Sequence, residues 1–339
     1  MKHQSYLLFT FLIVALSCKK PVKNTSNTIN KPVPEKVSED SGIYSVLVSK
    51  DDQIVFEEYY NSKKSDDLCN VQSLTKGIMS ILIGIAIDQK IIENENEPIE
   101  KYFPEEFKNL KDERKKQITI KHLLNQTSGL SWKGFPEHQN WINSENPITF
   151  VLQKKLEYTP GEKYNYNTAA THLLSAIISR ATEKTTLEFA NEYLFDTLTI
   201  DKIDWKKRND GYYAGGGLGL EMKSIDLMKI GQLLENQGVY DDKRLISKEW
   251  VNQLFDTAQK LPTRWGLQNS THGFCWYTSE LKGDTINYGM GYGGQFIIIV
   301  PNKDLVIVAT HNHDTPKGIE QQIKFLNKKL PQLIEKFGN

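Results

Sequence analysis

The sequence predicts an α/β fold in which one antiparallel sheet is built from both chain ends and flanked by helices, with a helical subdomain inserted between its early and late strands. Three observations carry this. β-Branched and aromatic runs cluster near both ends of the chain, and between them apolar residues recur at three- and four-residue spacing. The 339 residues, 39% hydrophobic and 25% charged, suffice for one large domain or two interleaved ones.

Each element has its own signal. Residues 43–48 and 53–59 are strand-like runs separated by Ser49-Lys50-Asp51-Asp52, which reads as a hairpin. Near the other end, residues 295–300 and 305–310 are apolar runs joined by Pro301-Asn302-Lys303-Asp304, a link short enough only for an antiparallel pair. Residues 273–278 and 285–288 add two short strands. Helical spacing covers residues 74–89, 148–158, 169–181, 187–198, 224–236 and 247–255, and a last amphipathic helix covers 318–336. No repeat at solenoid periods is present.

Lys plus Arg and Asp plus Glu both number 42, so no long-range field gathers nucleic acid, and a nucleic-acid role is set aside. Lys2 and His3 precede an apolar run over residues 6–16, too short to span a bilayer, and then Ala15-Leu16-Ser17-Cys18. That ending resembles a bacterial lipobox. It implies a lipoprotein signal peptide over residues 1–18, lipidation of Cys18, and tethering to a membrane of the bacterial cell envelope on its periplasmic or outer face. A plain cleaved signal is the alternative. Residues 19–40, rich in Lys, Asn, Thr, Pro and Ser, cannot repay their ordering entropy and read as a flexible linker. The folded domain is then 41–339. Cys69 and Cys275 read as two buried thiols, with a disulfide in an oxidising compartment as the lesser alternative.

The chemistry centres on Ser73-Leu74-Thr75-Lys76, at the start of the most apolar helical segment. Positions i and i+3 share a helix face, so the Lys76 amine can reach the Ser73 hydroxyl. A lysine dehydrated among apolar neighbours can give up its proton and serve as a base. The tetrapeptide alone is weak, because Ser17 with Lys20 and Ser279 with Lys282 match it too. Those two fall in the signal and in a polar loop.

Two further segments agree with it. Pro160-Gly161-Glu162-Lys163-Tyr164-Asn165-Tyr166-Asn167-Thr168 is a turn and a Tyr-rich stretch opening the helix at 169, where a tyrosine near Lys76 could relay protons; its bland reading is a core aromatic. Tyr288-Gly289-Met290-Gly291-Tyr292-Gly293-Gly294-Gln295 precedes a strong strand, and its glycines let a substrate approach a backbone amide. The same glycines match a dinucleotide-binding pattern, which fails because a strand follows where a helix is required.

Val71 to Gly77, Pro160 to Thr168 and Gly291 to Gln295, in this order, resemble the class C β-lactamase-related serine hydrolases, and most resemble the branch holding 6-aminohexanoate-dimer hydrolase and various esterases. The likeness continues through residues 122–130, Gly215-Gly216-Gly217-Leu218 and Lys248-Glu249-Trp250-Val251. It implies a β-lactamase/transpeptidase-like fold and an acyl-enzyme on Ser73. Lys76 is then the base and Tyr166, chosen over Tyr164 by its spacing from Pro160-Gly161, the proton relay. The amides of Ser73 and Tyr292 hold the oxyanion, and Thr168, Gly289, Gly291 and Gly293 line the cleft. No cofactor or metal is implied. Two departures matter: Tyr166-Asn167-Thr168 stands where many relatives carry Tyr-x-Asn, and Gly289-Met290-Gly291 stands where β-lactamases and D,D-peptidases carry a Lys or His.

The expected substrate is therefore a small ester or amide. A β-lactamase or D-amino-acid peptidase acting on wall material, and a non-catalytic lipoprotein that binds wall fragments, are the competing readings. Specificity in this architecture sits in loops such as 131–146 and 202–213. His311-Asn312-His313-Asp314 reads as a surface loop, and His122 and His172 as packing or hydrogen-bonding residues, since no Gly-x-Ser-x-Gly nucleophile is present. The glycine run at 215–219 lacks the Lys-Ser/Thr ending of a phosphate loop.

Overall fold

Asp51 and Asp52, both at positive φ, close the hairpin of β1 (Ile43–Lys50) and β2 (Gln53–Tyr59), a conformation aspartate tolerates better than most residues. The computed structural model describes residues 42–256, 259–262 and 265–338; Cys18, the expected signal peptide and the expected linker lie outside the described residues.

A long helical excursion follows. After β3 (Cys69–Asn70) come α1 (Leu74–Asp88), α2 (Pro104–Phe107), α3 (Ile120–Leu124), α4 (Phe135–Ile142), α5 (Pro147–Leu152), α6 (Thr168–Thr182) and α7 (Thr186–Ala190). Then β4 (Ile203–Trp205) and β5 (Leu220–Met222) join β3 in a small sheet of order β3-β5-β4. The chain continues through α8 (Ser224–Glu235), the hairpin β6 (Val239–Tyr240) and β7 (Lys243–Arg244), and α9 (Lys248–Phe255). It returns to the main sheet with β8 (Gln259–Lys260), β9 (Gln268–His272), β10 (Tyr277–Leu281), β11 (Asp284–Gly291), β12 (Gln295–Val300) and β13 (Leu305–His311). Helices α10 (Gly318–Lys324) and α11 (Leu330–Phe337), linked by the π-helical turn Phe325–Lys329, end it.

The main sheet has eight strands in the order β2-β1-β13-β12-β11-β10-β9-β8, so the first strand lies against the last, with Val46 opposite Ala309. Its central strands are buried on both faces. Along β12, Ile297 and Ile299 pack toward the helical excursion, while Phe296, Ile298 and Val300 pack toward the C-terminal helices with Phe325, Leu330 and Leu333. The two-residue side-chain period therefore serves two cores, which is why the strand reads as an unbroken apolar run.

Several expectations change. The helix expected over 148–158 stops at Leu152, because the next residues pair sideways: Ser131 N–H donates to Lys155 O at 2.9 Å and Glu157 N–H to Gly129 O at 2.9 Å. The helix expected over 187–198 is α7 followed by a π-helical turn, Asn191–Phe195. The strand expected over 273–278 is β10, which starts only at Tyr277. Strands β8 and β9 had no apolar run to announce them, and β11 carries the glycine segment within the sheet as far as Gly291.

Helix α1 is buried on every side from Leu74 to Ala86, as expected of a helix with no polar face. Two tryptophans pin it: Trp250 Nε1–H donates to Ser80 O at 3.0 Å, and Trp276 Nε1–H to Ser80 Oγ at 3.2 Å. Gly289 of β11 faces Leu74 and Trp276 without a side chain between them, so the strand lies directly against the start of this helix.

Candidate active site

Ser73 stands at the N-terminus of α1, and its side chain caps no backbone amide. The residue before it, Gln72, is held at φ 54°, a left-handed conformation costing a non-glycine residue about 1 kcal/mol or more. Asn70 Oδ1 holds Gln72 there, accepting from its backbone N–H at 3.0 Å and its side-chain amide at 3.1 Å. One turn on, Lys76 is buried, with Nζ 3.0 Å from Ser73 Oγ. The same amine donates to Gly216 O.

The Gly215–Gly219 run is the other half of this arrangement. Gly217 has φ +135°, and a Cβ there would stand 3.2 Å from Ser73 Oγ and 3.4 Å from Lys76 Nζ. Gly216 leaves no room for a Cβ above Thr168 O. Besides Lys76, two side chains hold the run in place. His172, wholly buried, accepts the Gly215 N–H on Nδ1 at 3.2 Å and donates from Nε2 to Asp210 at 3.0 Å, a tautomer that follows from the hydrogen bonds. Arg208 Nη2 donates to Gly217 O at 3.1 Å and also to Leu218 O.

Tyr166 lines the same cleft as Ser73, and Lys76 Nζ lies over its ring, 4.8 Å from the centre. Tyr164 points elsewhere, edge-on to His272 at 5.2 Å. Asn167, between Tyr166 and Thr168, is the N-cap of α6: its Oδ1 accepts from Ala170 N–H at 2.9 Å, while its own N–H donates to Gln126 Oε1 at 2.6 Å. The departure from Tyr-x-Asn thus leaves Asn167 capping a helix and Thr168 facing the cleft.

Tyr292 also borders the cleft, and its phenol donates to Thr315 O at 3.0 Å. Among the described residues, no backbone acceptor takes the N–H of Ser73 or of Tyr292. The glycines beside Tyr292 stand differently from expectation, because none of Gly289, Gly291 and Gly293 is on the cleft wall. Gly289 meets α1, a Cβ at Gly291 would strike Val71 O and the Gln72 side chain, and Gly293 backs onto His313. They let the end of β11 press against the segment that carries Ser73, a packing role at close approach.

The tail at His311 is also corrected. His311 is the last residue of β13 and is buried, with Nδ1 2.6 Å from Gly294 O and burial pushing its pKa down to about 4. His313 borders the cleft. His122 completes the capping box of α3 with Thr119. Cys69 and Cys275 are buried free thiols, and burial pushes Cys275 up to about 12.

The cleft encloses about 300 Å³. Much of its wall comes from the segment 131–146, whose sequence reads only as a specificity loop: Trp132, and Phe135 and His138 on α4. Pro136 and the periodic aromatics were the only sequence signs of that short helix. His138 is held near pKa 4 by burial and by the charges of Lys76 and Arg208, so its ring is neutral at pH 7.

The Beta-lactamase family model matches residues 41–328. An uncharacterized protein of Alkalihalophilus pseudofirmus is 24% identical over 312 residues, covering 81% of this chain and 85% of the relative. The 6-aminohexanoate-dimer hydrolase of Paenarthrobacter ureafaciens is 23% identical over 306 residues, covering 84% and 76%. Among solved structures, the octameric penicillin-binding protein homologue from Pyrococcus abyssi superposes with a TM-score of 0.67 at 17% identity, over 86% of this chain and 74% of that one. That last likeness shows a shared fold.

Proposed function

The chain belongs to the β-lactamase family and is a β-lactamase-related serine hydrolase, and from this premise we propose that it cleaves a small ester or amide through an acyl-enzyme on Ser73. The observation that carries the reading is the 3.0 Å approach of Lys76 Nζ to Ser73 Oγ at the cleft, with the amine aligned by Gly216 O. Ser73 Oγ attacks the carbonyl carbon as its proton passes to the amine form of Lys76. The oxygen of the tetrahedral adduct takes up the negative charge, and the amides of Ser73 and Tyr292 receive it. Collapse breaks the bond to the alcohol or amine, which leaves with a proton delivered through Lys76 and Tyr166. Water then attacks the acyl carbon, gives its proton back along the same route, and frees Ser73.

Two observations support an esterase or linear-amide hydrolase over a β-lactamase. Gly289, first residue of Gly289-Met290-Gly291 on β11, stands where β-lactamases and D,D-peptidases carry the cation that holds a substrate carboxylate, and a relative 23% identical bears the name 6-aminohexanoate-dimer hydrolase. The test is labelling by a fluorophosphonate probe, which phosphonylates an activated serine. Wild type should label and Ser73→Ala should not; equal labelling of both would refute the assignment. A stable penicillin adduct on Ser73, or nitrocefin turnover, would favour the β-lactam reading. Silence toward every ester, amide and β-lactam would favour a wall-fragment binder.

The proposal extends to placement. Lipidation of Cys18 would tether the enzyme to the envelope through the stretch at 19–40, and metabolic labelling with a palmitate analogue should mark wild type and not Cys18→Ala.

A further inference from the structure

Helix α4 sets Phe135 and His138 on the cleft wall beside Trp132. The Phe135 and His138 rings stack with centroids 6.3 Å apart and planes within 3°, and Trp132 meets His138 edge-on at 6.5 Å. Trp141 closes behind His138 at 5.5 Å. His138 is only 9% exposed, yet its Nε2 has no hydrogen-bond partner. Buried polar nitrogens are rarely left so, and a ring that borders a cleft can find its partner in what the cleft receives.

The acidic groups nearest this wall are already paired, Asp210 with His172 and Glu137 with Lys154. Among the described residues, no Asp or Glu borders the cleft. Behind it, Arg208 holds the carbonyls of Gly217 and Leu218 and lies over the Trp141 ring at 5.6 Å. At its floor, Lys76 takes a positive charge when it accepts the Ser73 proton, so a second cation in the cleft would be repelled most at the transition state. The imidazole, which burial and the Arg208 charge hold neutral, offers no compensation.

Building on the acyl-Ser73 reading, we infer that the cleft selects esters or amides bearing an apolar, aryl-sized and uncharged group beside the scissile carbonyl, with His138 hydrogen-bonding a polar atom of that group. Substrates with a free ammonium at that position are excluded. An N-acylated amino-acid ester fits this description and the corresponding free amino-acid ester does not.

The experiment compares the 4-nitrophenyl esters of N-acetylphenylalanine and of phenylalanine, in both enantiomers, with Ser73→Ala as the background. Wild type should favour the acetylated ester by at least about tenfold in kcat/KM. His138→Glu, which supplies a carboxylate, should shrink or reverse that preference by about tenfold while still labelling with fluorophosphonate. Phe135→Ala, at a side chain 78% exposed and so safe to remove, should raise KM for the acetylated ester several-fold. Equal turnover of the two esters by wild type overturns the inference and leaves the acyl-Ser73 reading standing. An unchanged preference in labelled His138→Glu also overturns it. Absence of any Ser73-dependent turnover or labelling overturns both.

Discussion

Gly217→Ala should disable the enzyme while leaving it folded, and the structure gives the size of the effect. The added methyl would lie 3.2 Å from Ser73 Oγ and 3.4 Å from Lys76 Nζ, so one or both must give by a few tenths of an ångström. The backbone cannot absorb the strain by shifting freely, because Gly216 O is bonded to Lys76 and Gly217 O to Arg208. A 1 Å misplacement of reacting groups costs on the order of a hundredfold, so a loss of about tenfold or more in kcat is expected here. Alanine at φ +135° costs about 1–3 kcal/mol besides, or roughly 2–5 °C in Tm for a domain of this size. Gly211→Ala is the matched control: φ is +86°, but nothing lies within 4 Å of the new methyl. It should lower Tm comparably and keep kcat within about twofold, since it carries the backbone penalty without touching the reacting atoms. The assay is steady-state hydrolysis of a 4-nitrophenyl ester, normalised to serine labelled by fluorophosphonate, with Tm from calorimetry. If folded Gly217→Ala matches Gly211→Ala in kcat, the glycine run does not confine Ser73 and Lys76 as argued.

Two further outcomes follow from buried histidines. Asp210→Ala leaves the His172 Nε2–H without an acceptor and frees the Gly215 end of the run; kcat should fall about tenfold with little change in KM, and stability by about 1–3 kcal/mol, read by urea unfolding. An unchanged kcat would mean that the run is held without His172. His311 is buried neutral, with its pKa lowered from 6.5 to about 4, so on acidification the unfolded chain takes up the proton first. Its contribution is complete above about pH 6.5 and is lost as the pH falls toward 4, amounting to roughly 3 kcal/mol; His138 adds in the same direction. His311→Asn should therefore lose less stability than wild type between pH 7 and pH 4.5, and parallel losses would refute the assignment.

The sequence by itself determined the elements whose signal is local. The hairpin at 43–59 and the paired apolar runs at 295–311 follow from β-branched residues and short polar links, and α1 and α6 follow from periodicity. Ser73 and Lys76 were legible for the same reason, since one helical turn separates them and helix geometry alone brings amine to hydroxyl. Tertiary structure decided everything set by contact across the chain. It ended α5 at Leu152 because residues 155 and 157 found sideways partners, and it turned Gly289, Gly291 and Gly293 from a cleft lining into a packing surface. It also made a surface tail into the buried end of β13 at His311. Most of all, it carried Gly216 and Gly217 across 140 residues of chain to the Lys76 amine, and folded 135–142 into the helix that walls the cleft. A glycine's φ and a neighbour's carbonyl are properties of the packed chain, because the energy that selects them comes from partners distant in sequence and close only once the two cores have formed.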